Sequence, residues 1–193
     1  MDVKLMEALI ERMSDGYEDA FERIYSMYMN KVYNTARMMT EDEKAAEDIL
    51  QEVFIIIYKK IYKLKHAEAF ESWLYRITVN CCNNYFKKRK STVVTEDDKL
   101  ADVIGADTGQ TPGEELISRE TNDEIYKAVN TLPGKYRECI ILYYYSEMSI
   151  AQIADVLDCS AGTVKSNLFK AKKALKKKLN LEIDCEVKTY GYR

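Results

Sequence analysis

At 193 residues the chain is long enough for one large domain or two small ones, each with a buried core. Seven glycines and two prolines are too few for a turn-rich β fold, so helices are expected. The formal net charge of −3 hides a segregation. Ten acids and two bases lie between Thr95 and Glu124, against seven lysines and no acid between Ser160 and Leu179. Blocks of this kind say more about partners than the total does.

The chain opens MDVKLMEALIERM. No basic stretch runs into an apolar one there, so no signal peptide is expected. Phe21, Ile24, Tyr25, Tyr28, Val32 and Ala36 then recur at helical spacing and define one apolar face. Thr40 stands three residues before Glu43, a capping-box pattern that predicts the start of a second helix. That helix is expected to bury Leu50, Val53, Phe54, Ile57 and Ile61. A third puts Phe70, Trp73, Leu74, Ile77, Cys81 and Tyr85 on one side and ends in Lys87-Lys88-Arg89-Lys90.

Composition changes at residue 91. Residues 91–118 are polar and acidic, with Gly105, Gly109, Pro112 and Gly113 close together, and read as a flexible linker. The helical period returns near Arg119 and lasts to about Leu181. The expected fold class is therefore all-α. Two small helical domains, 1–90 and 119–181, are joined by an acidic linker, with 182–193 as an uninformative tail. The longest apolar run, around Val53 to Ile57, is too short to span a membrane.

Ser149 and Gln152 form another S-x-x-Q capping box, followed by inward Ile150, Ile153, Ala154 and Leu157. Asp158 and Cys159 make a short connection, and Asp tolerates the left-handed backbone such a turn often needs. Ser160 can cap the next helix, whose buried stripe is Val164, Leu168, Ala171 and Leu175. This is a helix-turn-helix pattern. The second helix of such a unit lies in the major groove, leading with its N-terminal residues. Thr163, Lys165, Ser166, Asn167 and Lys170 are its side chains free to reach DNA. Lys172, Lys173, Lys176, Lys177 and Lys178 are phosphate contacts or simply solvated charge favoured by the helix dipole. Three or four phosphate contacts give weak binding alone, each adding about −0.9 to the slope of log affinity against log salt, so a second DNA surface is expected.

The third helix supplies a candidate. Opposite its apolar side stand Arg76, Asn80, Asn83, Asn84 and Lys87, followed by Lys88. Amides can bond base edges and the cations phosphate, while Trp73 and Tyr75 suit stacking on exposed bases. The plainer reading is a polar surface with Trp73 in the core. On the second helix, Asp48, Gln51, Glu52 and Ile55 lie off the buried stripe with Glu47. An outward isoleucine beside acids suggests a protein partner. A helix start rich in acids accounts for Glu47 and Asp48 equally well.

Five cysteines, with no C-x-x-C pair and a single histidine, His66, give no zinc pattern, and reduced, packed thiols suit a cytoplasmic protein. No phosphate-binding glycine loop, ligand cluster or nucleophile motif is present, so neither an enzyme nor a cofactor or metal is expected.

The segments AEDILQEVF (46–54), FESWLYRITVNCCNNYFKKRK (70–90) and LPGKYRECIILYYYSEMSIAQIADVLDCSAGTVKSNLFKAKKAL (132–175) together resemble small two-domain bacterial RNA polymerase sigma factors of the extracytoplasmic-function group. The resemblance covers roughly residues 17–180. It implies a protein that binds the polymerase core, directs it to promoters and promotes melting. Asp48, Gln51, Glu52 and Ile55 would meet the core. The loop Leu64, Lys65, His66, Ala67, Glu68 and Ala69, with Asn80, would capture a flipped base of the −10 element. The helix from Ser160 would read the −35 element, and the acidic linker would follow a positively charged channel in the polymerase. Promoter DNA and an anti-sigma factor, which can be membrane-linked and could dock in a hydrophobic groove between the domains, are the implied partners. No small-molecule substrate is implied. The family often has glycine where this chain has Asp158, and arginine where it has Asn167. The competing interpretation is a stand-alone helix-turn-helix regulator. It shares the C-terminal motif but leaves the asparagine stripe and acidic linker without a role.

Overall fold

The structure, a computed structural model, describes residues 3–93 and 124–179, and among these every regular element is helical. The first four are α1 (Val3–Ser14), α2 (Glu18–Thr40), α3 (Glu43–Lys60) and α4 (Phe70–Val93). Short 3-10 turns, Ile61–Lys63 and Ala67–Ala69, bracket the loop between α3 and α4. A helix over 124–130 (α5) precedes α6 (Gly134–Ile140), which runs straight on as a π-helix over Ile141–Tyr145. The helix-turn-helix is α7 (Ile150–Val156) and α8 (Ala161–Lys178). Most of the expected linker, and the tail with Cys185, lie outside the described residues; α4 itself runs three residues past the expected boundary at 90.

Local chemistry sets the helix ends. Gly16, at φ 90°, closes α1: its N–H donates to Met13 O while the Tyr17 N–H reaches back to Arg12 O. Glycine carries that left-handed geometry without a Cβ penalty. The cap of α3 differs from the expected one. Asp42, not Thr40, accepts the Ala45 N–H at 3.0 Å. Thr40 is still the last residue of α2, its hydroxyl donating back to Ala36 O at 2.8 Å, so it does not stand at the start of α3. The Ser149–Gln152 capping box forms in both directions, and Ser160 Oγ accepts the Thr163 N–H at 3.0 Å.

The buried side chains form one continuous cluster from Met6 to Ala171. In α3, Val53, Phe54, Ile57 and the following Ile61 are buried as expected, while Leu50 is half-buried. Phe54 meets Tyr25 edge-on at 4.6 Å, within the spacing at which aromatic pairs attract. The unexpected helix is α4. Phe70, Leu74 and Cys81 are buried on the anticipated side, but so are Tyr75, Val79 and Cys82 on another. Helix α4 packs against α2 and α3 with one face and against α7 with the other. A helix covered on two sides cannot keep one broad free stripe.

The contact between the two groups of helices is polar as well as apolar. Arg137, from α6, donates to Glu41 Oε1 at 2.8 Å and lies over the Phe86 ring at 5.7 Å. Its side chain is only 16% exposed. Ser146 shares hydrogen bonds with Thr35 and with the Tyr75 hydroxyl. Tyr126 donates to Arg37 O at 3.3 Å.

Candidate nucleic-acid interface

Helix α8 presents the first surface. Val164, Leu168 and Ala171 are buried, which fixes its rotation. Thr163, Lys165, Ser166 and Lys170 are then exposed together with Ser160 at the cap. Thr163 Oγ1 and Ser160 Oγ lie 2.9 Å apart, so the two hydroxyls act as a pair at the helix start. Asp158 takes φ 50° in the turn, so an aspartate here adopts the left-handed conformation that glycine supplies elsewhere. Asn167 behaves differently from its neighbours. It is half-buried, and its amide hydrogen-bonds to the Cys139 sulfur, so it braces α8 against α6.

Phe169 was not among the residues expected to reach DNA. Its ring is 63% exposed in the middle of the outward face, between Lys165 and Lys173 at i±4. The signal was available: Phe169 falls outside the Val164, Leu168, Ala171 stripe. Lys172, by contrast, holds its ammonium 5.4 Å from the centre of the Tyr144 ring, a cation–π contact at the side of the helix.

The second surface is the α4 stripe. Asn80, Asn84, Lys87 and Lys88 are exposed. Arg76 is also on the surface, but Nη2 donates to Asp155 Oδ1 at 2.6 Å and to Asp155 O at 2.7 Å. Asn83 is half-buried and bonds the Glu138 carboxylate, whose pKa is raised, chiefly by burial. Tyr75 is 2% exposed beneath Ser146 and is not available for stacking here; Trp73 is half-buried against Phe70. Between α4 and α7 runs a groove of about 380 Å³, lined by Arg76, Asn80, Asn83, Glu138, Leu157 and Asp158 among others. It is largely polar, where a hydrophobic groove was expected, because the α4 face turned toward α7 carries the amide stripe.

In the loop 64–69, Leu64 is half-buried, Ala67 is buried, and Lys65, His66, Glu68 and Ala69 are exposed. The Ala69 N–H donates to His66 O, which pins the second 3-10 turn. Helix α1 packs against both turns from behind. Asn80 lies ten residues beyond Phe70, about 15 Å along the axis from the start of α4.

Asp48, Gln51, Glu52 and Ile55 are all exposed along α3, Ile55 at 52%. Tyr58, 55% exposed and edge-on to Phe21 at 5.4 Å, continues this row three residues on. An acidic row ending in exposed isoleucine and tyrosine suits a basic partner with an apolar centre.

Among the described residues, Cys81, Cys82 and Cys139 are buried free thiols and Cys159 is half-buried. Burial pushes the pKa of Cys82 up to about 12 and those of Cys81 and Cys139 to about 11, so they carry almost no thiolate near neutrality. No helix among the described residues is long and apolar enough to cross a membrane.

Comparison with known proteins agrees with this geometry. Residues 24–92 match the family described as sigma-70 region 2, and residues 122–175 match sigma-70, region 4. The chain is 32% identical to the ECF RNA polymerase sigma factor SigW of Bacillus subtilis, over 91% of this chain and 97% of that one. It is also 32% identical to the ECF RNA polymerase sigma-E factor of Haemophilus influenzae, over 90% and 94% respectively. Among solved structures, the sigma factor RpoE of Bartonella quintana, in complex with the anti-sigma factor NepR, shares the fold. The TM-score is 0.73 at 23% identity, covering 86% of this chain and all of that one. CnrH in complex with the cytosolic domain of CnrY gives a TM-score of 0.69 at 18% identity, over 93% and 99%. With its helix-turn-helix and its α4 stripe in these two matched segments, the chain belongs to the sigma-70 family, in the extracytoplasmic-function group of RNA polymerase sigma factors.

Proposed function

We propose that the chain divides promoter recognition between two helical units, 1–90 and 119–181, joined by the acidic segment 91–118. As a sigma factor it binds polymerase core, directs it to promoters and promotes melting; it makes no bonds itself. A stand-alone regulator is not favoured, because the family match extends over both units.

The observation that carries the DNA reading is the outward face of α8. Thr163, Lys165, Ser166, Phe169 and Lys170 are exposed on a helix without an acid from 160 to 179. In the major groove its first turns reach base edges of the −35 element, and the lysines hold phosphate. The Phe169 ring offers an apolar contact of the kind that distinguishes a thymine by its methyl group.

The N-terminal unit works by differential binding. Unstacking a base costs a few kcal/mol, and surfaces that accept only an unpaired base shift the equilibrium toward the open strand. Loop 64–69 and Asn80 are assigned to flipped bases. Arg76, Asn83, Asn84, Lys87 and Lys88 are assigned to the strand leading from them. Asp48, Gln51, Glu52 and Ile55, extended by Tyr58, form the face for polymerase core. We further assign a cytoplasmic location and an anti-sigma factor as protein partner, since both solved relatives named above are held by another protein.

The test is transcription by core polymerase reconstituted with the purified chain across a genomic promoter pool. Selective initiation is expected. Lys165→Ala should weaken recognition of the upstream element, and Asn80→Ala should chiefly impair opening. Failure of the chain to bind core would overturn the reading.

A further inference from the structure

The first turns of α8 do not all offer their side chains to DNA. At about 100° per residue, Asn167 stands roughly 60° from Val164 on one side and roughly 40° from Thr163 on the other. Val164 is buried and Thr163 exposed, so Asn167 lies on the margin between the packed stripe and the outward face. Thr163 at i−4 and Lys170 at i+3 are its surface neighbours, and both are exposed. Yet Asn167 is half-buried, its amide bonded to the sulfur of Cys139 on α6, a residue with 0% of its surface exposed. The margin permits either direction. The partner on α6, which packs against α8, decides which one is taken.

We propose that Cys139 is a specificity-determining positioning residue: its sulfur holds the Asn167 amide against α6 and so silences one position of α8 that would otherwise read adenine. This rests on the placement of α8 on the upstream element made above. An asparagine amide pairs through two hydrogen bonds with N6 and N7 of adenine, so a groove-facing Asn167 would add a base contact of defined preference. While the amide is bonded to sulfur and packed between two helices, reaching a base costs that bond and that packing. Without the sulfur, the amide is a half-buried polar group that has lost its partner, which is an unfavourable arrangement. Rotation toward Thr163 and Lys170 then brings it to water or to a base edge. Cys139 itself is enclosed in the core and touches no DNA. The base preference of α8 is thus set in part from inside the C-terminal unit.

The experiment uses holoenzyme reconstituted from core polymerase and the full chain. It transcribes a promoter pool randomised over the upstream element, and initiating templates are counted by sequencing. Asn167→Ala should keep the parent's base preference at every randomised position, since the residue it removes is not reading. Cys139→Ala should gain a preference for adenine of about 5-fold or more at one position, the lower end of what a bidentate pair discriminates. The double variant Cys139→Ala, Asn167→Ala should lose that gain. Cys139→Ser, whose hydroxyl can hold the amide, should select like the parent. If Cys139→Ala does not assemble with core, Cys139→Val, which fills the space without a hydrogen-bonding atom, takes its place. An altered preference in Asn167→Ala or in Cys139→Ser, or a parent-like preference in Cys139→Ala, overturns the proposal. So does a gain that persists in the double variant, because repacking of α8 and not the amide then makes the contact. Lys165→Ala separates the premise. A parent-like selection there means that α8 does not read this element, and the proposal falls with that assignment.

Discussion

The lysines of α8 can be sorted by their distance from the helix start. Lys165 and Lys170 flank the outward face in its first three turns, on either side of Ser166 and Phe169. Lys177 lies twelve residues beyond Lys165, about 18 Å along the axis, which exceeds the roughly 12 Å width of the major groove. Lys165 and Lys170 are therefore better placed than Lys177 to neutralise phosphates beside the reading site. Removing either ammonium should reduce the slope of log affinity against log salt by about 0.9 in magnitude, which corresponds to about 3.5-fold between 50 and 200 mM salt. The double variant Lys165→Ala, Lys170→Ala should thus show a salt response weaker by about 12-fold over that range. Alanine is at least as good a helix former as lysine, so unfolding does not mimic the effect. The assay is anisotropy titration of a labelled duplex bearing the upstream element selected from a randomised pool, repeated across the salt series. Lys177→Ala is the internal control and should keep the parent slope. An unchanged slope in the double variant, or an equal fall with Lys177→Ala, would refute the placement of α8 in the groove.

Ile55→Glu puts a charge on an exposed position, so stability should stay within about 0.5 kcal/mol while pull-down with core polymerase is lost. Asp42→Ala removes the cap of α3 and should cost about 1 kcal/mol at neutral pH, or about 2–4 °C in Tm for a chain of this size. Hydrogen bonds from the Ala45 N–H and the Tyr85 hydroxyl depress the Asp42 pKa, against some opposition from burial. Its contribution is therefore present above the ordinary carboxylate range and fades as pH falls through the depressed value, so melting curves of variant and parent should converge in acid. Native-state alkylation with iodoacetamide at pH 8, read by mass spectrometry, should leave Cys81, Cys82 and Cys139 unmodified until urea is added. Early labelling of Cys82 would contradict its burial.

Much of the candidate site was legible because its determinants are local. The Ser149–Gln152 box, the Asp158 turn and the Ser160 cap each depend on residues within three or four positions, and each forms as the motif predicts. Thr40 shows the limit of such reasoning. A motif three residues long cannot tell whether its threonine still belongs to the preceding helix, and Asp42 takes the cap. Asn167 shows another. Its spacing allows it to face DNA, but the Cys139 sulfur on α6 lies within reach of its amide, and no pattern along α8 encodes a neighbour.

The sequence by itself determined that the chain is helical, where its helices turn, and that α8 has a basic outer face, because apolar period and caps are properties of adjacent residues. Only the tertiary structure decided what α4 can offer. Tyr75, Val79 and Cys82 are covered, and Arg76 is held by a carboxylate 79 residues away. Which polar groups on a helix remain open to a partner depends on what packs beside them, and α7 reaches α4 through long-range packing that no local periodicity records.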